Sequence, residues 1–240
     1  MNDSLNGGGR FLTLTPEEWQ AVALSLRVAI SSVLVCLPPA ILVGWLLGRS
    51  HFFGKSAVDA FVHLPFVLPP VVTGYLLLLL FGIRGPVGAA LNDWFGIRLA
   101  FTTSGAILAT AVMTFPLMVR AIRLSAGSVD RKLEEAARTL GARPLDRFVT
   151  ITLPLMTPGI VAGAMTAFAA ALGEFGAVIT FAASIPGETQ TLPLAIYGAL
   201  QVPGGEATAA RLSFVSFALA LIALFASERV AHYAQGLQRG

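Results

Sequence analysis

The sequence has few charged residues, a single cysteine and no evident leader peptide. Only 12% of its 240 residues are charged, where an average soluble domain carries about a quarter. Cys36 alone cannot form an intrachain disulfide or a zinc site. Residues 1–20 place Arg10 against three acids, and the apolar run that follows is too long for the core of a signal peptide. These shortages exclude a disulfide-rich secreted protein and disfavour an ordinary soluble domain.

The sequence is instead rich in long apolar stretches. Hydrophobic residues make up 55% of the chain, and the mean hydropathy is +0.77. A membrane-spanning helix needs about 20 apolar residues. Five stretches reach that length, and they are 21–48, 58–82, 102–122, 151–183 and 207–227. We therefore predict an all-α polytopic membrane protein with about five transmembrane helices, the first beginning at Pro16 behind a capping box that Thr15 and Glu18 form.

The distribution of lysine and arginine predicts the orientation. If the N-terminus lies outside, only Arg10, Arg84 and Arg98 fall in outer segments. The inner segments then hold a much larger basic set, namely Arg49, Lys55, Arg120, Arg123, Arg131, Lys132, Arg138, Arg143, Arg147, Arg229 and Arg239. Cytoplasmic loops of membrane proteins are enriched in such residues. The pI of about 9.5 thus reflects topology, and we expect the lipid bilayer, not nucleic acid, as the partner of this charge.

This topology divides the chain into three parts. Residues 1–20 are predicted to form a periplasmic segment, 21–232 a transmembrane domain in the inner (plasma) membrane, and 233–240 a cytoplasmic tail. The stretch 185–206 is apolar at its centre but too short to cross, so it is predicted to be either a re-entrant or a surface helix on the outer side.

The cytoplasmic loop 123–150 carries a short amphipathic pattern. Its apolar residues recur at intervals of three and four, and they are Val129, Leu133, Ala136, Ala137 and Leu140. Ser128 or Asp130 is suited to cap this helix, while Gly141 and then Pro144 are expected to end it. Glu134 and Arg138 are spaced for an ion pair along the helix. Because the apolar stripe has nothing of its own to cover it, a partner's groove is the expected cover.

The same loop resembles the signature of a known family. The loop contains Glu135-Ala136-Ala137, then three residues, Gly141, nine residues and Ile151-Thr152-Leu153-Pro154. These residues at this spacing match the EAA motif of binding-protein-dependent ABC importer permeases. The resemblance implies the type I importer permease (MetI-like) architecture and a docking helix for cytosolic ATPase subunits. It makes Leu133, Glu134, Glu135, Ala136, Ala137, Leu140 and Gly141 the coupling residues.

The likeness extends over most of the chain and resembles the molybdate permeases in particular. The segments that carry it include His63-Leu64-Pro65-Phe66, Leu172-Gly173-Glu174-Phe175-Gly176 and Ile185-Pro186-Gly187-Glu188-Thr189. This resemblance implies transport of molybdate, delivery by a periplasmic molybdate-binding protein, a homodimer with a second copy of the chain, and no cofactor. Sulfate, thiosulfate or tungstate remains an alternative substrate.

Two helix entries share a proline pattern. Pro65 and Pro69 in the second span recur as Pro154 and Pro158 in the fourth, within the pattern LPxxxPxxxxG. One interpretation is chance similarity between proline-containing helix entries. The other is that both helices bend at their cytoplasmic ends to form the mouth of the pathway, since broken helices line cavities in transporters.

Three charged residues near or inside the spans are further pathway candidates. Glu174 is predicted at membrane depth, where it serves either as a gate, paired with Arg27 or Arg211, or as a plain structural hydrogen-bonding group. Arg27 and Arg211 either attract oxyanion oxygens or extend to the membrane interface.

Other classes of protein find little support in the residues. Gly54-Lys55-Ser56 lacks the upstream glycine and the strand of a phosphate-binding loop, so a separate subunit must hydrolyse ATP. No catalytic set or metal-ligand spacing is evident, which disfavours a membrane-embedded enzyme. An ion-coupled secondary carrier would need paired acids or histidines in the membrane, and only Glu174 approaches this.

Overall fold

The computed structural model describes residues 14–236, and within them the chain is helical with no strand. The predicted segments 1–20 and 233–240 therefore lie largely or partly outside the described residues. The helices are α1 (Pro16–Arg49), α2 (Lys55–Val67), α3 (Pro70–Phe81), α4 (Pro86–Phe95), α5 (Thr103–Ser128), α6 (Arg131–Thr139), α7 (Pro144–Arg147), a π-helical turn (Phe148–Thr152), α8 (Leu153–Leu172), α9 (Gly176–Ala182), α10 (Leu192–Leu200) and α11 (Glu206–Gly236).

Four helical stretches are long and apolar enough to cross a membrane, and a bent pair supplies a fifth. The four are Pro16–Arg49, Thr103–Ser128, Pro144–Leu172 and Glu206–Ala226. The predicted capping box is present, because the Glu18 N–H donates to Thr15 Oγ1 at 3.3 Å and the Thr15 N–H donates to Glu18 Oε2 at 2.7 Å. The all-α polytopic fold is confirmed.

The predicted span 58–82 is not one continuous helix, and a bend of the kind that one interpretation of the proline pattern predicts is present. It is divided into α2 and α3, which meet at 113°. Leu68 lies in an extended conformation between them, with ψ at 145°. Proline disfavours helical geometry in the residue before it, and here Pro69 and Pro70 follow in succession. The bend therefore has a local cause in the two consecutive prolines, which apolar composition alone does not reveal.

The predicted span 151–183 also needs correction. Its helix ends at Leu172, and the separate α9 begins only at Gly176. At the other end the helical path begins earlier than predicted, since α7 and the π-helical turn lead directly into α8. Glu174 lies in the break between α8 and α9.

Helix α5 lies at the centre of the bundle, between α1 and α8. Its residues Met118, Val119 and Ile122 are fully buried. The approach of α1 is close because Gly44 faces α5, and a Cβ at that position would lie 2.7 Å from Ile122 Cγ2. Small residues allow helices to approach in this way in membranes.

The stretch 185–206 packs against the bundle through α10. Leu192 and Leu194 are buried, and α10 contacts both α1 and α11. The backbone N–H of Leu192 donates to Ser25 Oγ of α1 at 2.7 Å. This segment is therefore part of the packed body of the protein at the end where α1 begins.

Candidate functional site

The predicted loop helix forms as α6, and most of its apolar residues are uncovered. Asp130 caps it, since its Oδ1 accepts a hydrogen bond from the Lys132 N–H at 2.9 Å. Leu133 is 48% exposed and Leu140 is 88% exposed. Val129 was predicted on the same stripe, but it is buried because it ends α5 instead. The exposed α6 face thus consists of Leu133, Ala136 and Leu140, the last of which caps the end of the helix, and Glu135 is exposed next to Ala136.

Gly141 reverses the chain after α6, as predicted. Its φ is +86°, in the left-handed region that glycine adopts at little cost. The Ala142 N–H donates to the Ala137 carbonyl at 3.0 Å, which closes the helix end. Pro144 does not simply mark the stop, because it is the first residue of α7. The turn directs the chain back towards the bundle.

Glu134 fixes the inner side of α6 to the bundle. Its Oε2 lies 2.6 Å from Arg49 Nη2 at the end of α1. Its Oε1 accepts a hydrogen bond from Thr152 Oγ1 at 2.5 Å, just before α8 begins. The predicted pair between Glu134 and Arg138 is therefore wrong: a tertiary partner with a nearly buried guanidinium replaces the exposed partner on the same helix. The Glu134 carboxylate thus joins α6 to the end of α1 and to the π-helical turn before α8.

The electrostatics of this contact favour an ionised Glu134. Burial alone raises the pKa of its carboxyl group. The hydrogen bond from Thr152, the ion pair with Arg49 and the nearby charge of Arg147 outweigh that effect, so the pKa of Glu134 lies below its usual value of 4.5. The contact is thus fully charged at neutral pH.

Arg49 and Thr152 are contact residues of this cluster that the sequence reasoning missed. Arg49 also donates from Nη1 to the Val129 carbonyl at 2.5 Å, and Arg131 Nη2 donates to the Arg49 carbonyl at 3.3 Å. A signal for Thr152 was available, since it lies within the Ile-Thr-Leu-Pro part of the motif. For Arg49 no such signal was available, because the sequence showed it only as one of the basic residues of the inner segments.

A second ion pair lies at the same end of the bundle. Arg123 Nη1 of α5 lies 2.5 Å from Asp59 Oδ1 of α2. His63 Nδ1 lies 2.9 Å from the Asp59 carbonyl oxygen within α2. This pair links the bent α2–α3 segment to the central helix.

The two proline patterns give different structures. Pro69 lies at the bend between α2 and α3, and Pro65 lies inside α2. In the second copy, Pro154 and Pro158 lie within the first turns of an unbroken α8. The pattern alone therefore does not determine a break. The difference follows from Pro70, which has no counterpart after Pro158.

Glu174 caps the start of α9. Its Oε1 accepts a hydrogen bond from the Ala177 N–H at 2.9 Å. The side chain is half-buried, and within the described residues no ion pair reaches it. This geometry matches the structural hydrogen-bond alternative and gives no support for a pairing with Arg27 or Arg211.

The two candidate arginines lie in different environments. Arg211 of α11 forms a buried ion pair with Glu18 of α1, with Nη2 2.6 Å from Oε1, and this replaces the predicted pairing with Glu174. Arg27 is exposed on the outer surface of α1. Among residues 14–236, no cluster of three metal-ligating side chains is found.

Comparison with known proteins identifies relatives of the whole chain. A family profile described as "Binding-protein-dependent transport system inner membrane component" matches residues 40–232. The molybdenum transport system permease protein ModB of Escherichia coli strain K12 is 59% identical over 220 residues, which cover 92% of this chain and 96% of that protein. ModB of Haemophilus influenzae is 54% identical over 211 residues, covering 88% and 92%.

A solved structure with the same fold is more distant in sequence. It is a bacterial alginate ABC transporter in complex with an alginate pentasaccharide-bound periplasmic protein. The TM-score is 0.72 at 20% identity, and the match covers 94% of this chain and 83% of that one. The similarity extends the type I importer permease architecture to this chain.

Proposed function

Because the chain belongs to the family of binding-protein-dependent transport system inner membrane components, we propose that it is the permease of an ATP-driven molybdate importer. It is a multi-pass inner membrane transport component and not an enzyme. The observation that carries the proposal of molybdate is the 59% identity, over almost the full length of both chains, to a permease named for molybdenum transport.

We propose that the exposed α6 face docks on a cytosolic ATPase subunit. Leu133, Ala136 and Leu140 supply an apolar surface that lacks a partner among residues 14–236, and Glu135 supplies a charge beside it. An amphipathic helix of this kind is buried by a groove in its partner. The left-handed turn at Gly141 and the hydrogen bond to the Ala137 carbonyl fix the C-terminal end of this helix.

Glu134 then transmits motion of α6 to the membrane helices. The ion pair with Arg49 connects α6 to α1, and the hydrogen bond from Thr152 connects it to α8. When the ATPase subunits close, both helices receive the displacement through one carboxylate. This is the physical basis that we propose for coupling ATP hydrolysis to alternating access.

We further propose a homodimer with the pathway between the two copies. Helix α3 has 12 residues and is only about 18 Å long, so it cannot cross a bilayer core of about 30 Å by itself. Phe61 and Val67 of α2 are each 77% exposed, and Tyr75 of α3 is 53% exposed. A second copy would cover this apolar surface on the bent segment.

In the proposed orientation, the N-terminus is periplasmic and the C-terminus and α6 are cytoplasmic. A periplasmic molybdate-binding protein then delivers the anion at the end where α1 begins. Glu174 accepts a hydrogen bond from a backbone N–H, and we propose that the anion is met along the pathway by neutral hydrogen-bond donors.

Radiolabelled molybdate uptake into proteoliposomes tests the proposal. The vesicles would hold the permease with its ATPase and contain ATP, with the binding protein outside. We expect uptake only when all three proteins and ATP are present, and stronger competition by unlabelled molybdate than by sulfate. Uptake without ATP hydrolysis would refute the importer class, and preferential competition by sulfate or tungstate would refute the substrate alone.

A further inference from the structure

An apolar cavity opens between α1 and the chain that follows α6. Its volume is about 490 Å³, and its walls include Leu42 and Trp45 of α1 together with Leu145 and Phe148. The rings of Trp45 and Phe148 meet edge-to-face with centroids 5.1 Å apart. The cavity is thus large enough for several methylene groups, and its apolar walls would favour their burial.

A basic cavity of about 280 Å³ adjoins it. Trp45, Glu134 and Arg147 line both cavities, so the two lie side by side and share a wall. The basic cavity also contains Arg49, Arg131, Arg138 and Glu135. Since Arg49 is neutralised by Glu134, the arginines at 131, 138 and 147 face a single remaining acid, which leaves two net positive charges.

Arg147 carries an unsatisfied donor at the junction. Its Nε is shielded from solvent and meets no hydrogen-bond acceptor within the described part of the chain. Leaving a buried donor unpaired is costly, and more so for a charged group. An acceptor with negative charge, placed where the two cavities meet, would remove that cost.

We infer that these cavities form a binding site for one anionic phospholipid. Its phosphate lies against Arg138 and Arg147, and part of one acyl chain lies against Trp45 and Phe148. Basic pockets between membrane helices suit anionic head groups, and tryptophan is favoured at the membrane interface. A free oxyanion or an acidic loop of a partner protein would satisfy the arginines but would leave the apolar cavity empty.

The site lies beside the Glu134 contact, so a bound lipid would stabilise α6 against the bundle. This inference goes beyond the proposed transport function, because it concerns lipid binding and holds for any substrate. Failure of molybdate uptake would not affect it.

Native mass spectrometry of the purified permease–ATPase complex tests the site. The complex would be titrated with phosphatidylglycerol and, separately, with phosphatidylcholine of the same acyl chains. We expect the complex to retain phosphatidylglycerol preferentially. Arg147→Gln should weaken retention about fivefold, as expected for one basic residue near an anionic lipid, and Arg147→Lys should restore most of it.

The matched control is Arg98→Gln, which removes an exposed arginine that contacts Asn92 outside these cavities. It should leave lipid retention unchanged. Melting temperatures of all variants show whether they fold, and Trp45→Leu provides a second variant that weakens binding without changing charge. Equal retention of both lipids, equal retention by the variants and wild type, or displacement of the lipid by millimolar phosphate or molybdate would each overturn the inference.

Discussion

Glu134 shows how a single side chain connects parts of the chain that are far apart in sequence. Its two oxygens contact Arg49 and Thr152, which belong to different membrane helices or their approaches. Its neighbour Glu135 points to solvent. The two adjacent acids therefore have different surroundings: Glu134 is paired with the bundle, whereas Glu135 is exposed.

Replacing Glu134 by glutamine should uncouple transport. The amide keeps the shape but loses the charge that holds Arg49, so we expect ATP-driven molybdate uptake to fall at least tenfold while the ATPase still co-purifies. The control is Glu188→Gln, which changes an exposed acid in a turn of the described chain. Normal uptake by the Glu134 variant would contradict the transmission role.

The same contact predicts a pH dependence of stability. The pKa of Glu134 is lower in the folded protein than its usual value of 4.5, so ionisation stabilises the fold above that value, and the contribution is lost as pH falls through the lower, folded-state pKa. The difference in melting temperature between wild type and Glu134→Gln should be constant from about pH 6 to 8 and shrink below about pH 4.5. A difference that instead grows on acidification would contradict this sign.

The buried pair of Arg211 and Glu18 makes a further prediction about stability. Arg211→Met leaves Glu18, whose side chain is 6% exposed, without its counter-charge. Breaking a buried pair typically costs about 3–5 kcal/mol, so the detergent-solubilised variant should melt well below wild type. Arg27→Met, at an exposed position on α1, is the control and should change the melting temperature little.

At the scale of helices, the sequence predicts the number of spans better than their continuity. Apolar length identifies all five regions, and charge and capping locate the beginnings of α1 and α6. The bend at Leu68 agrees with one of the two interpretations of the proline pattern, and the following prolines at 69 and 70 explain it. The break at Gly173–Phe175 was missed because hydropathy averages over a window and does not register backbone hydrogen bonds.

The contacts of α6 were predictable only in part. The exposed face followed from spacing, because periodicity depends on local geometry. The pairing of Glu134 with Arg49 could not be predicted from spacing, since the packing of α1 against α5 brings the two residues together. The spacing along α6 favoured Arg138 instead.

The close contact between α1 and α5 can be tested at Gly44. A Cβ there would lie within 2.8 Å of two Ile122 atoms, so Gly44→Ala should destabilise the protein by about 1–3 kcal/mol. Gly127→Ala is the matched control, since a Cβ at that position meets nothing within 4 Å and alanine favours the helix. Thermal melts in detergent should separate the two variants; equal melting temperatures would show that the helices are not closely packed here.

At the scale of the whole molecule, the described chain leaves two apolar surfaces uncovered. The α6 face and the exposed apolar residues of α2 and α3 are separate regions. In the function that we propose, the α6 face meets an ATPase subunit and the α2–α3 surface meets a second copy of the chain.

The ATPase contact is tested by Leu140→Asp. Leu140 is 88% exposed, so a charge there should not disturb folding but should prevent burial in an apolar groove. We expect co-purification of the ATPase to fall at least tenfold. Leu124→Asp changes a leucine that is 69% exposed on α5 and should retain the ATPase; loss of binding in both variants, or in neither, would contradict the assigned face.

Helix α1 spans the distance between two ion pairs, one at Glu18 and one at Arg49. Glu18 and Arg49 lie 31 positions apart in one helix, which corresponds to about 47 Å. If the Glu18 end is held by Arg211, a tilt of only about 5° carries the Arg49 end through about 4 Å over that length. In the orientation that we propose, a small rotation about the periplasmic end of α1 would thus convert a displacement of about 4 Å at the ATPase side into a rearrangement along the whole length of the helix.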